Sequence, residues 1–197
     1  MKKAIIAFIS LIIFCIEPLM ASAEFSFKKY QVENGLSHNT TWCVIQDSYG
    51  FLWIGTSNGL NCYYGSGNKI YRNVLNDKYS LGNNFVSSLM EEGEDLWIGT
   101  SSGLYIYDRS DDHFLYFDKT TKYGVFISCE VKKIVKTKNG LIWIATLGQG
   151  IFIYDPAKDV LTQNSIRTFF AWDICQGTDS LVYVSSMQEG LLCFDEE

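Results

Sequence analysis

The sequence predicts an all-β chain, and three observations lead there. Aromatic residues reach 15%, with 13 Phe and 12 Tyr. Such side chains suit the pleated, half-buried surface of a sheet better than a helix. Proline is scarce, at 2, while many of the 16 glycines fall between short apolar runs, where hairpin turns need them. The third observation is a string built on an aromatic residue and a glycine that returns along the chain. At 197 residues, 47% hydrophobic and 19% charged, the chain has the composition of one globular domain, or one and a part. That length excludes a complete large multidomain enzyme.

The repeat carries most of the information. Leu52-Trp53-Ile54-Gly55-Thr56-Ser57-Asn58-Gly59-Leu60 returns as Leu96-Trp97-Ile98-Gly99-Thr100-Ser101-Ser102-Gly103-Leu104. A third copy runs from Ile142 through Trp143 and Ala145 to Gly150, and a worn fourth from Val182 through Tyr183 and Ser185 to Gly190. The aromatic positions 53, 97, 143 and 183 are 44, 46 and 40 residues apart. A period of about 40–50 residues with strand signals indicates propeller blades, one four-stranded antiparallel sheet each.

Each unit reads strand by strand. A first apolar stretch precedes the aromatic at residues 41–46, 86–91, 131–136 and 171–175. A polar turn follows, such as Asp47-Ser48-Tyr49-Gly50, of the type that closes a hairpin. The Trp strand comes next, then a turn ending in Gly59, Gly103, Gly150 or Gly190, where glycine supplies a positive φ. Third strands are expected at 60–64, 104–108, 151–155 and 191–195, and short fourth strands at 70–72, 114–117 and 160–162. The blades span about 36–75, 81–120, 128–165 and 168–197. The recurring indole is expected to fill the wedge between neighbouring sheets, with Gly55 and Gly99 relieving crowding two residues on.

The first residues read as an address. Lys2 and Lys3 precede an apolar run from Ala4 to Ile16, and Ala21-Ser22-Ala23 supplies the small residues of a cleavage site. Residues 1–23 are therefore expected to be a signal peptide, leaving 24–197 as a soluble exported domain with no membrane association after cleavage; an uncleaved membrane anchor is the alternative. The formal charge of −6 argues against a nucleic-acid partner. Two His and no Cys-x-x-Cys argue against a structural zinc, and no cofactor is expected. The five cysteines after the leader, Cys43, Cys62, Cys129, Cys175 and Cys193, read as small buried hydrophobes rather than a disulfide framework.

The combination of Gly35-Leu36-Ser37-His38-Asn39, Asp47-Ser48-Tyr49-Gly50-Phe51-Leu52-Trp53-Ile54-Gly55-Thr56 and Gly59-Leu60 resembles the two-component regulator propeller repeat. The likeness extends in weaker form over residues 25–195, with a shortened turn Glu92-Gly93-Glu94-Asp95 in blade 2 and Tyr183 for Trp in blade 4. The resemblance implies the periplasmic sensor half of a hybrid two-component system of polysaccharide-utilisation type. It implies a seven-bladed propeller of which this chain holds the N-terminal part. It also implies an oligosaccharide ligand, and the rest of the sensor chain or a second copy as partner. In that family the N-terminal strand completes the final blade. Phe25-Ser26-Phe27-Lys28-Lys29-Tyr30 alternates as such a strand, and could instead complete the fourth blade and close a small ring.

Candidate sites are few. Gly55-Thr56-Ser57-Asn58-Gly59 and Gly99-Thr100-Ser101-Ser102-Gly103 match a hydrolase nucleophile pattern, which requires a following helix; a strand is expected here, so these serines are turn residues. His38 and His113 lack an acid placed to orient them; His38 stands before the first strand and could reach a ligand at the rim. Aligning the first strands places Trp42, Ser87, Lys132 and Trp172 at one equivalent position, near one mouth of a propeller channel. Packing between blades explains such a ring more simply; stacking on a sugar and pairing with an acidic one is its functional reading. A non-catalytic ligand-sensing domain is therefore expected. The alternatives are a propeller-fold carbohydrate-active enzyme, which would need facing carboxylates, or an inert scaffold.

Overall fold

The computed structural model describes residues 26–164 and 170–196. The signal-peptide expectation falls outside them. Fifteen strands among the described residues form four antiparallel sheets in chain order. Blade 1 comprises β1 (Thr41–Gln46), β2 (Leu52–Thr56), β3 (Gly59–Tyr63) and β4 (Asn68–Tyr71). Blade 2 comprises β5 (Val86–Glu92), β6 (Asp95–Thr100), β7 (Gly103–Asp108) and β8 (His113–Tyr116). Blade 3 comprises β9 (Glu130–Lys136), β10 (Ile142–Leu147), β11 (Gly150–Asp155) and β12 (Val160–Gln163). Blade 4 has three strands, β13 (Ala171–Gln176), β14 (Val182–Ser186) and β15 (Gly190–Phe194). The architecture is a β-propeller array, with blade 1 packed on blade 2, blade 2 on blade 3 and blade 3 on blade 4.

The hairpins explain the repeated string. Thr56, Thr100 and Thr146 are fully buried, and each hydroxyl donates to the carbonyl of the glycine closing its turn, at 2.9, 2.9 and 2.7 Å. A buried hydroxyl needs such an acceptor, and the turn supplies it within a few residues. Gly59 has φ +124°, and a Cβ there would lie 2.7 Å from the Tyr71 carbonyl oxygen. Gly103 repeats the geometry, with φ +125° and the Ile127 carbonyl at the same 2.7 Å. Any side chain at either point would strain the backbone and collide with it.

Each indole lies in the seam with the next blade. Trp53 is 1% exposed in a cluster with Val86, Leu89, Leu96 and Ile98 of blade 2. Trp97 shares a cluster with Val131, Ile134, Ile142 and Ile144 of blade 3, and Trp143 with Ile174, Val182 and Val184 of blade 4. An aromatic of this size removes about 150–250 Å² from water, worth several kcal/mol at ~25 cal/mol per Å² before entropy is charged. A Cβ on Gly55 would stand 2.7 Å from Val86 Cγ1, and one on Gly99 would stand 2.8 Å from Val131 Cγ1. Blade 3 has Ala145 at that position, and the facing residue, in the same buried cluster, is Ala171. Glycine opposite valine has become alanine opposite alanine, so the seam holds nearly the same volume.

Two expectations require correction. Residues 26–30 form no strand. A 3₁₀ turn at Val32–Asn34 and Gly35 at φ +100° reverse the chain immediately afterwards. The segment is thereby held on blade 1, where the Tyr30 ring meets Tyr63 edge-on at 5.4 Å. The cysteines also divide. Cys62 is buried and Cys43 and Cys129 are half-buried, but Cys175 and Cys193 are exposed. These two flank Tyr183 on the face of blade 4 that no other described sheet covers.

Candidate functional site

In every blade the first strand starts with a break in register, and the same position falls in the break. Pairing skips Trp42 between Thr41 and Cys43, Ser87 between Val86 and Ser88, and Trp172 between Ala171 and Asp173. In blade 3 it passes from Val131 to Lys133, skipping Lys132. Each of these four residues is therefore the extra residue of a β-bulge. A bulge bends its strand and re-aims one side chain away from the sheet's alternation. The four bulges stand at the end of the blades that carries the β2–β3 turn and its equivalents.

Three of the four side chains converge. The Lys132 ammonium lies 4.1 Å from the centroid of the Trp172 ring and 5.7 Å from that of Trp42. Both indoles are nearly half exposed, at 46% and 49%, whereas the Lys132 side chain is 9% exposed. Glu130 pairs with that ammonium at 2.8 Å. With one carboxylate bound and two aromatic faces against it, Lys132 braces the two rings and keeps little charge for an acidic ligand. Trp42 is held further by its indole N–H donating to Ser57 Oγ at 2.9 Å and by a tilted contact with Phe85 at 5.2 Å.

Ser87 does not join this group. Its hydroxyl donates to the carbonyls of Val131 and Gly99, a stitch between blades 2 and 3. His38 is half-buried in the loop before β1, where Nδ1 accepts the Thr40 amide at 3.0 Å, a local turn contact. His113 stacks on Tyr79 at 4.2 Å. The serines of the two hydrolase-like strings lie in hairpin turns with a strand on either side. Among the described residues, no cluster of three His, Cys, Asp or Glu is placed to hold a metal ion, and no helix is long and apolar enough to cross a membrane.

The sequence reading passed over the groups that hold the rings, Glu130, Ser57 and Phe85. Glu130 could have been noticed as an acid two residues from Lys132. It also read Asp47 as an ordinary turn residue. Oδ1 of Asp47 does accept the Tyr49 and Phe51 amides, at 3.0 and 2.8 Å. Oδ2, however, accepts the Trp53 indole N–H and the Arg109 guanidinium, both at 2.7 Å. Arg109 continues to Glu91 at 3.1 Å, so one buried carboxylate ties a turn, a wedge indole and the neighbouring blade. Burial pushes the Asp47 carboxyl upward, but the bonds from Trp53, Arg109 and Phe51 outweigh it and hold the group below the usual carboxylate range.

Comparison with known proteins agrees with this architecture. The family described as two component regulator propeller matches residues 35–58 and 80–102, which fall in blades 1 and 2. Histidine kinase P4 of Formosa agariphila is 40% identical over 60 residues, 30% of this chain and 4% of that one. The solved extracellular domain of a putative hybrid two component system from B. thetaiotaomicron superposes with a TM-score of 0.75 at 22% identity, over 85% of this chain and 25% of that one. Virginiamycin B lyase from Staphylococcus aureus superposes with a TM-score of 0.54 at 14% identity, covering 79% of this chain and 55% of that one. The chain thus spans a small part of the curated relative and a quarter of the sensor domain. At these identities the solved structures speak to the fold alone, and the fold is shared by sensors and by an enzyme.

Proposed function

We propose that this chain, which matches the two component regulator propeller family at residues 35–58 and 80–102, is an exported, non-catalytic ligand-sensing propeller of a two-component sensor, and that it responds to oligosaccharides. The observation that carries the reading is the bulge ring: the same strand position is re-aimed in all four blades, and two of its residues are half-exposed indoles braced by one lysine. Structural aromatics are normally covered by their packing. Trp42 and Trp172 instead remain nearly half exposed, both in contact with Lys132, and an exposed indole is a surface on which the apolar face of a sugar ring stacks. Lys132, committed to Glu130, holds the rings in place, so the ring suits neutral sugars better than acidic ones. The extracellular setting of the B. thetaiotaomicron relative supports export and leaves the compartment a part of the proposal.

The lyase superposition keeps a second reading in view, that of a propeller enzyme. Trp42, Ser87, Lys132 and Trp172 offer neither acid nor nucleophile free to act, since Ser87 is bonded to two carbonyls. A titration decides. Trp42→Ala and Trp172→Ala are expected to abolish the quench of tryptophan fluorescence by plant xylo- and gluco-oligosaccharides, with no reducing ends released by the unaltered chain. Equal affinity in both variants overturns the rim as the ligand site, and sugar turnover overturns the non-catalytic reading.

A further inference from the structure

The opposite end of the blades carries a second aromatic feature. A cleft of about 480 Å³ opens between blades 1 and 2, where the β1–β2 and β3–β4 turns face the β5–β6 and β7–β8 turns. Its lip is formed by Tyr49, Phe51 and Tyr64, which are 59%, 39% and 50% exposed. Its floor is Trp53, Tyr71, Tyr107 and Cys62.

The cleft forms where blade 1 departs from blades 2 and 3. Register places Cys62 opposite Trp53 and Lys69, while the equivalent triplets are Ile106 with Trp97 and Leu115, and Ile153 with Trp143 and Thr162. A branched aliphatic has been exchanged for a small thiol directly over the wedge indole. The strand-end acids Asp108 and Asp155 have Tyr64 as their blade 1 counterpart, and among the β-hairpin turns before the wedge strands, the one at 47–51 carries two aromatics. Removed volume and added rings coincide at one seam.

Charge selects the occupant. Both cations at the cleft are neutralised: Arg109 binds Asp47 at 2.7 Å and Glu91 at 3.1 Å, and Lys69 binds Asp112 at 2.5 Å. Glu94 adds a further carboxylate to the lining, so an anion meets no free positive charge. A cationic ligand is equally ill served, because Arg109 already lies 4.9 Å over the Tyr49 ring and Lys69 lies 4.6 Å over Tyr71. What remains is a neutral molecule with an apolar face and edge hydroxyls, able to meet Phe51 and Tyr64 on one side and Ser110, Glu94 and Lys69 at the ends. We propose that this cleft is a second, separate binding site of the chain, selective for a neutral saccharide of two to three rings. It shares the ligand class of the reading above and none of its residues.

The test fills the cleft with the residue the neighbouring blades use. Saturation-transfer NMR on the full chain, with cellotriose, xylotriose and mannotriose as probes, is expected to show binding of at least one. Cys62→Ile should weaken that binding about tenfold or more, and Tyr64→Ala, at an exposed position, should do so through loss of a stacking face. Thermal unfolding of Cys62→Ile should match the unaltered chain, because blades 2 and 3 carry isoleucine there. Absence of binding by all three probes, or affinity unchanged by both substitutions, overturns the cleft. Binding lost in Trp42→Ala and kept in Cys62→Ile overturns it while sparing the rim; binding kept in Trp42→Ala and Trp172→Ala and lost in Cys62→Ile supports the cleft and removes the rim.

Discussion

Blade 1 and blade 4 present the same face of the same repeat to different surroundings. In blade 1 the wedge aromatic is Trp53, 1% exposed, with its N–H on buried Asp47 and a valine of the next blade against Gly55. In blade 4 the aromatic is Tyr183, half exposed, with its hydroxyl on Asp179 at 2.6 Å and exposed Cys175 and Cys193 beside it. The repeat motif therefore does not bury its own aromatic; the following blade does. A single blade is an amphipathic unit whose core is completed by its neighbour, and stability grows seam by seam.

The sharpest test of that contrast is truncation of the aromatic on both faces. Trp53→Ala should cost about 3–5 kcal/mol, the range for emptying a large buried site. A drop in melting temperature on the order of 10 °C should follow. Tyr183→Ala, which removes a side chain already in contact with water, should shift the transition far less. Differential scanning calorimetry of the two variants reads the difference directly. Equal losses would mean that the blade 4 face is covered in solution.

The fold was legible because its strongest physical demand is local and periodic. An indole, a small residue two positions on and a positive-φ glycine must recur in every blade that meets a neighbour, so Trp53, Gly55 and Gly59 announce themselves again at 97, 99 and 103. The candidate site was legible by half. Aligning copies put Trp42, Ser87, Lys132 and Trp172 in one row, but a bulge is a property of pairing between strands, and nothing in the local alternation of Thr41 to Gln46 marks it. Which of the row meet was equally hidden, since the approach of Lys132 to Trp42 and Trp172 depends on how the blades are set against one another. The cleft was invisible for another reason. It depends on what is missing, a thiol at Cys62 where blades 2 and 3 carry isoleucine, and a deficit of volume becomes a site only once the opposing blade is in place.

The seam itself can be rewritten. Gly55→Ala drives a methyl group against Cys43 Sγ and to within 2.7 Å of Val86 Cγ1 and 2.9 Å of the Val86 carbonyl oxygen, which should cost about 1–3 kcal/mol. Adding Val86→Ala copies the Ala145 and Ala171 pair of the seam between blades 3 and 4 and should recover the part of the loss that comes from Val86 Cγ1, leaving the contacts with Cys43 Sγ and the Val86 carbonyl. A denaturant series on the two single variants and the double variant measures that coupling. Additive losses would show that the alanine pair is incidental to how the later seam packs.

The smallest effect is one of chemistry rather than stability. Burial pushes the Cys43 thiol up to about 12 and the Cys62 thiol up to about 11. At neutral pH both are almost wholly protonated, and the thiolate is the form that reacts with an alkylating agent. Both lie in the seam between blades 1 and 2, whereas Cys175 and Cys193 are exposed on blade 4, Cys193 at the position equivalent to Cys62 and Cys175 at the position equivalent to Ile45. Brief iodoacetamide treatment of the native chain, read by peptide mass mapping, should modify Cys175 and Cys193 well before Cys43 and Cys62. After unfolding in guanidinium the four should react alike. Cys62 and Cys193, at equivalent strand positions, would then differ in reactivity through the presence or absence of a following sheet. Early labelling of Cys43 in the native chain would instead mean that the seam between blades 1 and 2 opens on the timescale of the reaction.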